Sequence, residues 1–214
     1  MAYPISKWII PPIYKLWLKK PEGIENMPKE EPFIIAANHS SYFDIFIPPV
    51  IIVPILNKKV HALVNSHYWK SFITRLFLNA WQAIPVYVYK EKDSKKKNRE
   101  GIEKAISFLK SKELVMIFPE GKRNDGILKK AYTGVANIAL KAKVPVIPFG
   151  IIGANKVLPK GKAFPRLKKC EVNIGKPMHF EKYYNKKIND KDLEEITRSI
   201  MKEIAKLINQ KYNY

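Results

Sequence analysis

A chain of 214 residues, 46% apolar and 27% charged, is long enough for one sizeable core and has the composition of an ordinary globular domain. Its 39 Lys and Arg against 19 Asp and Glu leave a formal net charge of +20, which implies a polyanionic partner, either nucleic acid or an anionic membrane. The single cysteine, Cys170, excludes an intramolecular disulfide and agrees with a reducing compartment, and His39, His61, His67 and His179 show no metal-site spacing with it.

Residues 1–20 carry Trp8, Ile9, Ile10, Ile13, Leu16, Trp17 and Leu18 among Lys7, Lys15, Lys19 and Lys20, with no acidic residue. That pattern reads as a basic, apolar membrane-interface segment in front of a domain spanning 21–214. Pro11 and Pro12 interrupt it, and it falls short of the roughly 20 consecutive apolar residues that cross a bilayer. It also lacks the small-residue cleavage site of a signal peptide.

Residues 33–37, FIIAA, form a short apolar run after turn-rich sequence and predict a buried strand. The run ends in Asn38-His39-Ser40-Ser41, then Tyr42-Phe43-Asp44. Ser40 or Ser41 supplies a helix cap, which places His39 in a loop and Asp44 in the first helical turn. A bend between them brings the carboxylate to the imidazole, fixing one tautomer and leaving the other ring nitrogen free to take a proton. There is no G-x-S-x-G elbow, and the adjacent serines read as caps rather than nucleophiles.

Twelve apolar residues, 45–56, include Pro48, Pro49 and Pro54 and predict a kinked helix belonging mainly to the core. A strand at 60–64, a helix over 68–81, a strand at 84–88 and a helix over 94–112 follow. The apolar run 113–118, ELVMIF, is a further strand, and it ends in the glycine-containing loop Pro119-Glu120-Gly121-Lys122-Arg123-Asn124. Ligands of open α/β sheets sit at the carboxyl ends of strands, so this loop and the one holding His39 are expected to face one crevice. A helix over 133–142 and a strand over 144–152 come next, Pro145 and Pro148 suggesting an edge or an irregular ladder. Residues 153–187 hold ten Lys or Arg and two acidic residues around a strand at 171–174. The last element is an amphipathic helix behind Asn189 or Asp190, with Leu193, Ile196, Ile200, Ile204, Leu207 and Ile208 on one face. Strand and helix alternate, which predicts a single α/β domain with a largely parallel or mixed sheet flanked by helices.

The pair NHSSYFD and FPEGKR, about eighty residues apart, resembles the glycerolipid acyltransferase family typified by 1-acylglycerol-3-phosphate acyltransferases. The lead-in GIENMPKEEPFIIAA, the run VPVIPFGI and the segment NIGKP extend the likeness over residues 23–177. The resemblance implies the same α/β architecture and transfer of a fatty acyl group from acyl-CoA or acyl-carrier protein, as co-substrate, to a lysophospholipid hydroxyl in phospholipid synthesis, with no resident cofactor and no metal. It casts His39 as the base, Asp44 as its orienting group, and Asn38 or backbone amides near Gly121 as oxyanion donors. Glu120, Gly121, Lys122 and Arg123 become acceptor-binding or positioning residues, with Arg123 on the phosphate.

The family's middle motif usually holds an arginine; residues 83–93, AIPVYVYKEKD, have none, Val88 standing at the matching place and Lys90 two residues on. A lysine is a point charge without the planar fork of a guanidinium. The acceptor expected is 1-acylglycerol-3-phosphate, and another lysolipid, an amino lipid or a lipid-linked sugar is the alternative this departure keeps open. The enzyme is expected at the cytoplasmic face of an anionic membrane, peripheral or monotopic. A non-catalytic nucleic-acid-binding protein ranks last, since no RNA-recognition or zinc-finger pattern accompanies the charge.

Overall fold

A computed structural model of the protein describes residue 12, residues 14–87 and residues 91–214. Most of the basic apolar segment 1–20, together with Val88 and Lys90, lies outside the described residues.

The centre is a six-stranded sheet: β1 (Ile34–Ala37), β2 (Val60–Asn65), β3 (Ile84–Val86), β4 (Leu114–Ile117), β5 (Val146–Ile152) and β6 (Glu171–Ile174), in the order β3-β2-β4-β1-β5-β6. All neighbours run parallel except β5 and β6, so the sheet is mixed. Around it lie α1 (Ile47–Leu56), α2 (Phe72–Ala80), α3 (Ser94–Lys110), α4 (Gly134–Ala142), α5 (Ala154–Val157) and α6 (Asp190–Leu207).

The apolar runs of β1 and β4 are continuous rather than alternating because both faces of these central strands are covered. Ile34, Ala36, Val115, Ile117 and Val146 point to the side of α3, α4 and α6, where Ala105, Ile138, Ile200 and Ile204 meet them. Ile35, Ala37, Met116, Ile147 and Phe149 point to the other side, against Ile47, Ile51 and Ile52 of α1. Fully burying side chains of this size stabilises by about 1.5–3 kcal/mol each.

Helix α1 begins with Pro48 and Pro49 in its first turn, where a missing N–H costs no intrahelical bond. Residues 47–53 of this helix are buried. Helix α6 starts on Asn189, whose Oδ1 accepts from Asp192 N at 3.1 Å while Asp192 Oδ2 accepts from Asn189 N at 3.0 Å. It packs so closely on β5 that a Cβ on Gly150 would lie 2.5 Å from Leu207 Cβ. Helix α2 differs from these: Leu78 alone is buried, and Phe72, Ile73 and Leu76 stand exposed.

Of the two readings that Pro145 and Pro148 allow, an edge strand or an irregular ladder, the structure shows the second, for β5 lies inside the sheet between β1 and β6. The sheet tolerates Pro148 because the β5–β6 register steps by one residue there. Val146 pairs with Met178 but Phe149 with Ile174, and at the step Pro148 needs only its carbonyl, which accepts from Gly175 N at 2.9 Å.

Cys170 sits just before β6, fully buried, its thiol donating to the Trp17 carbonyl at 3.3 Å. Burial, with Asp44 nearby, pushes it up to about 12, so it stays a protonated, unreactive thiol at neutral pH. His61 is likewise a packing residue, fully buried against Phe108 with Nε2 2.7 Å from Glu113 Oε2.

Candidate active site

The two motif loops leave the carboxyl ends of adjacent parallel strands, β1 and β4, and so emerge side by side. The first turns at once into a 3₁₀ turn, Tyr42–Ile45, capped by Ser41: its Oγ accepts from Phe43 N at 3.1 Å and donates to the Leu158 carbonyl at 2.7 Å. The reciprocal half of this capping box is Asp44, which takes the Ser41 N–H at 2.7 Å.

That cap explains how residues five apart meet. Asp44 is fully buried, and its Oδ2 accepts from Ser40 N at 2.6 Å and Ser41 N at 2.7 Å, with His39 Nδ1 at 3.0 Å. With Nδ1 held against the carboxylate, Nε2 is the ring nitrogen left for a reactant. The imidazole lies flat on Phe118, centroids 4.2 Å apart, with 12% of its side chain exposed. His39 is therefore packed, hydrogen-bonded on one nitrogen and still open to solvent.

The second loop clamps the first through its backbone. His39 N donates to Glu120 Oε1 at 3.0 Å, and the His39 carbonyl accepts from Asn124 N at 2.6 Å. Glu120 has no exposed surface; Asn124 Nδ2 reaches both its oxygens, at 2.9 and 2.8 Å, and Lys129 N reaches Oε2 at 2.8 Å. Burial pushes this carboxyl upward, while the bonds from Asn124, His39 and Lys129 pull it back. Every contact brings a hydrogen toward the carboxyl, so the ionised form is the one this loop is built around.

This placement decides between the two parts expected of Glu120, acceptor binding and positioning. Its oxygens are enclosed and saturated by the protein, so it positions His39 and does not touch an acceptor. Glu120→Gln puts an NH₂ where only acceptors fit, leaving a buried donor facing a donor. Such a change costs about 1–3 kcal/mol. The expected result is a lower melting temperature with reduced kcat and an unchanged KM for the acceptor; a selective rise in that KM at full stability would restore Glu120 to the binding set.

Asn38, one of the two oxyanion candidates, is corrected by its surroundings. Its Oδ1 accepts from Ile151 N at 2.7 Å and its Nδ2 donates to Ile151 O at 2.9 Å, within a 4% exposed side chain. The carboxamide completes the β1–β5 ladder where the strands part and does not serve as an oxyanion donor.

Gly121 turns the second loop at φ +66°, and a Cβ there would come within 2.8 Å of the Tyr132 ring. Only glycine fits this combination. Lys122 is exposed. Arg123 lies half-buried with its guanidinium over the Tyr42 ring, 3.6 Å from the centroid, and no carboxylate pairs with it among the described residues. The Tyr42 hydroxyl in turn lies 2.8 Å from that of Tyr68. Phe118, Asn124, Tyr42 and Tyr68 escape a reading that looks for charged groups, although the first three stand inside or beside the two motifs. Among the described residues no cluster of three or more His, Cys, Asp or Glu has a metal-binding arrangement.

The sequence model of the family described as Acyltransferase matches residues 20–152, a stretch holding both loops. The chain belongs to the acyltransferase family. Among the relatives of this acyltransferase is a 1-acyl-sn-glycerol-3-phosphate acyltransferase of Bacillus subtilis (strain 168), 30% identical over 157 residues that make up 72% of this chain and 71% of the relative. The chloroplastic 1-acyl-sn-glycerol-3-phosphate acyltransferase LPAT1 of Arabidopsis thaliana is 27% identical over 82% of this chain, which spans 48% of that protein's length. The crystal structure of the 1-acyl-sn-glycerophosphate (LPA) acyltransferase PlsC from Thermotoga maritima superposes with a TM-score of 0.66 at 22% identity, covering 94% of this acyltransferase and 76% of that chain. The shared fold is the α/β domain expected from the alternating elements.

Proposed function

We propose that the protein acylates the free hydroxyl of 1-acylglycerol-3-phosphate, giving phosphatidic acid, with acyl-CoA or acyl-carrier protein as donor. The observation carrying this reading is the joining of two chemistries by one clamp. The His39–Asp44 pair and Arg123, one residue before Asn124, are tied together by the 2.6 Å bond between Asn124 N and the His39 carbonyl. The names of the relatives from Bacillus subtilis and Arabidopsis thaliana support the choice of acceptor.

In this reading the acceptor oxygen attacks the thioester carbonyl as His39 Nε2 takes its proton, and the Asp44 carboxylate stabilises the imidazolium. Collapse of the tetrahedral intermediate breaks the C–S bond, and the leaving thiolate takes the proton back from His39. The thioester is already activated, so the chemistry calls for no resident cofactor. Gly121 N is committed to the Phe118 carbonyl at 3.0 Å, which leaves the oxyanion to amides further along the same turn. Arg123, held flat by Tyr42, grips the phosphate in a charge-assisted fork.

The net charge of +20 and the basic apolar segment 1–20 support a peripheral seat on an anionic membrane, at its cytoplasmic face. Among the described residues no helix is long and apolar enough to cross a membrane.

The test is product analysis by mass spectrometry of wild-type enzyme given 1-acylglycerol-3-phosphate and a lysolipid whose phosphate is blocked. Clear preference for the free phosphate is expected. Equal or better turnover of the blocked lipid overturns the acceptor assignment and favours a different lysolipid, as the missing arginine of residues 83–93 would suggest.

A further inference from the structure

The loop between α5 and β6 holds none of the residues given a catalytic or acceptor-binding part above and carries the most exposed large apolar side chains on the described surface. Phe164 is 84% exposed and Leu167 85%. Around them stand Lys160, Lys162, Arg166, Lys168 and Lys169, all exposed and none in an ion pair among the described residues. From residue 153 to residue 170 the chain has no acidic side chain at all.

This loop is not slack chain. Arg166 N donates to the Val157 carbonyl at 2.7 Å, Lys162 N to the Pro159 carbonyl at 3.1 Å, and Trp17 Nε1 to the Arg166 carbonyl at 3.1 Å. The base is therefore pinned to the domain while Phe164 and Leu167 project. Two large apolar side chains held in water cost free energy that burial elsewhere would return, at roughly 25 cal/mol per Å².

Its position is set by the sheet. β5 ends at Ile152 and β6 begins at Glu171, its partner in register, so everything between leaves and returns at one edge. β1 runs parallel to β5, and its carboxyl end, where His39 follows, opens on that same edge. The bond from Ser41 Oγ to the Leu158 carbonyl, 2.7 Å, joins the start of the loop directly to the first motif. Ile127, 76% exposed beyond the second motif, is another apolar side chain standing out from these loops.

We propose that residues 158–169 form a membrane-docking loop: Phe164 and Leu167 enter the acyl boundary of an anionic leaflet, the five cations rest on its headgroups, and the edge bearing His39 is thereby turned to the bilayer. The choice of a membrane rests on the lipid-acylation reading above together with the charge complementarity of a loop lacking acidic residues. Folded surfaces for nucleic acid also carry cations, but they have no use for two exposed aliphatic and aromatic tips without a stacking groove. Interfacial insertion uses both features at once.

The experiment compares full-length wild type with Phe164→Ser/Leu167→Ser and with Lys160→Gln/Lys162→Gln/Lys168→Gln. Binding is read by co-sedimentation with vesicles of phosphatidylcholine alone and of equal parts phosphatidylcholine and phosphatidylglycerol, and acyl transfer is read on detergent-dispersed acceptor. Each surface cation near an anionic leaflet is worth about a fivefold change in partitioning, so the triple variant should bind the mixed vesicles roughly 100-fold more weakly and depend less steeply on phosphatidylglycerol. The apolar pair should lose about tenfold or more on the same vesicles. Both variants should retain wild-type turnover in detergent.

Variants that bind mixed vesicles as wild type does overturn the loop proposal, whatever the detergent assay reads. Loss of vesicle binding together with no acyl transfer by any form, wild type included, leaves the loop proposal standing and removes the acylation reading instead. Tighter binding of wild type to duplex DNA than to mixed vesicles, abolished by the triple variant, overturns the membrane assignment in favour of nucleic acid.

Discussion

His39→Ala is expected to lower kcat on the order of 10²- to 10⁴-fold, the usual size of a general-base contribution, while the protein keeps its fold. The separation of effects follows from how the residue is held. Its anchoring runs through the main chain, N to Glu120 and carbonyl to Asn124, and alanine retains both bonds. What disappears is the ring between Asp44 and Phe118. Asp44→Asn is the companion measurement: with its carboxamide oxygen in the Oδ2 position it keeps an acceptor for Ser40 N, Ser41 N and His39 Nδ1, but it removes the charge that stabilises the imidazolium and leaves an NH₂ buried without a partner in the Oδ1 position. A steep fall in kcat is therefore expected, accompanied by some loss of melting temperature because Asp44 is also half of a capping box. Turnover of purified His39→Ala within a fewfold of wild type, with unaltered circular dichroism, would falsify the general-base role.

The parts of this site that were legible in the sequence are those where a residue's chemistry and its backbone duty coincide. His39 and Asp44 stand out because an apolar strand ends abruptly in ionisable residues, and the five-residue gap closes because Ser41 makes the turn that the gap requires. The sheet was legible for a related reason: FIIAA and ELVMIF are continuous apolar runs, which only strands covered on both faces sustain. The residues that were misread, or whose part stayed open, have side chains spent largely on the protein's own main chain. Asn38 and Glu120 lie in the motifs beside the reactive groups, and nothing in their local spacing reveals that Ile151 lies opposite Asn38, or that Lys129 N closes over Glu120. For Pro148 the sequence left an edge strand and an irregular ladder both open, and the register step supplied by Met178 and Ile174, about thirty residues away, decides for the second. Partners distant in sequence were needed each time.

The acceptor prediction turns on Arg123. Loss of one charge-assisted bond costs about 1.5–3 kcal/mol, a roughly 10- to 150-fold weakening, so Arg123→Ala should raise the KM for 1-acylglycerol-3-phosphate by that factor. The KM for the acyl donor should stay close to wild type. Arg123→Lys separates charge from shape. The guanidinium lies over the Tyr42 ring at 3.6 Å, and an ammonium can neither stack as a plane nor present a fork to phosphate, so lysine should recover only part of the loss. Tyr42→Ala, which removes the platform but leaves the arginine, should then resemble Arg123→Lys more than Arg123→Ala. Since the Tyr42 ring also meets Tyr68, both melting temperature and kcat must be measured beside KM to exclude a general loosening of the loop. A parallel rise in both KM values, or none in either, would detach Arg123 from the phosphate and leave that task to Lys122 or to a group outside the two motifs, with the chemistry at His39 unaffected.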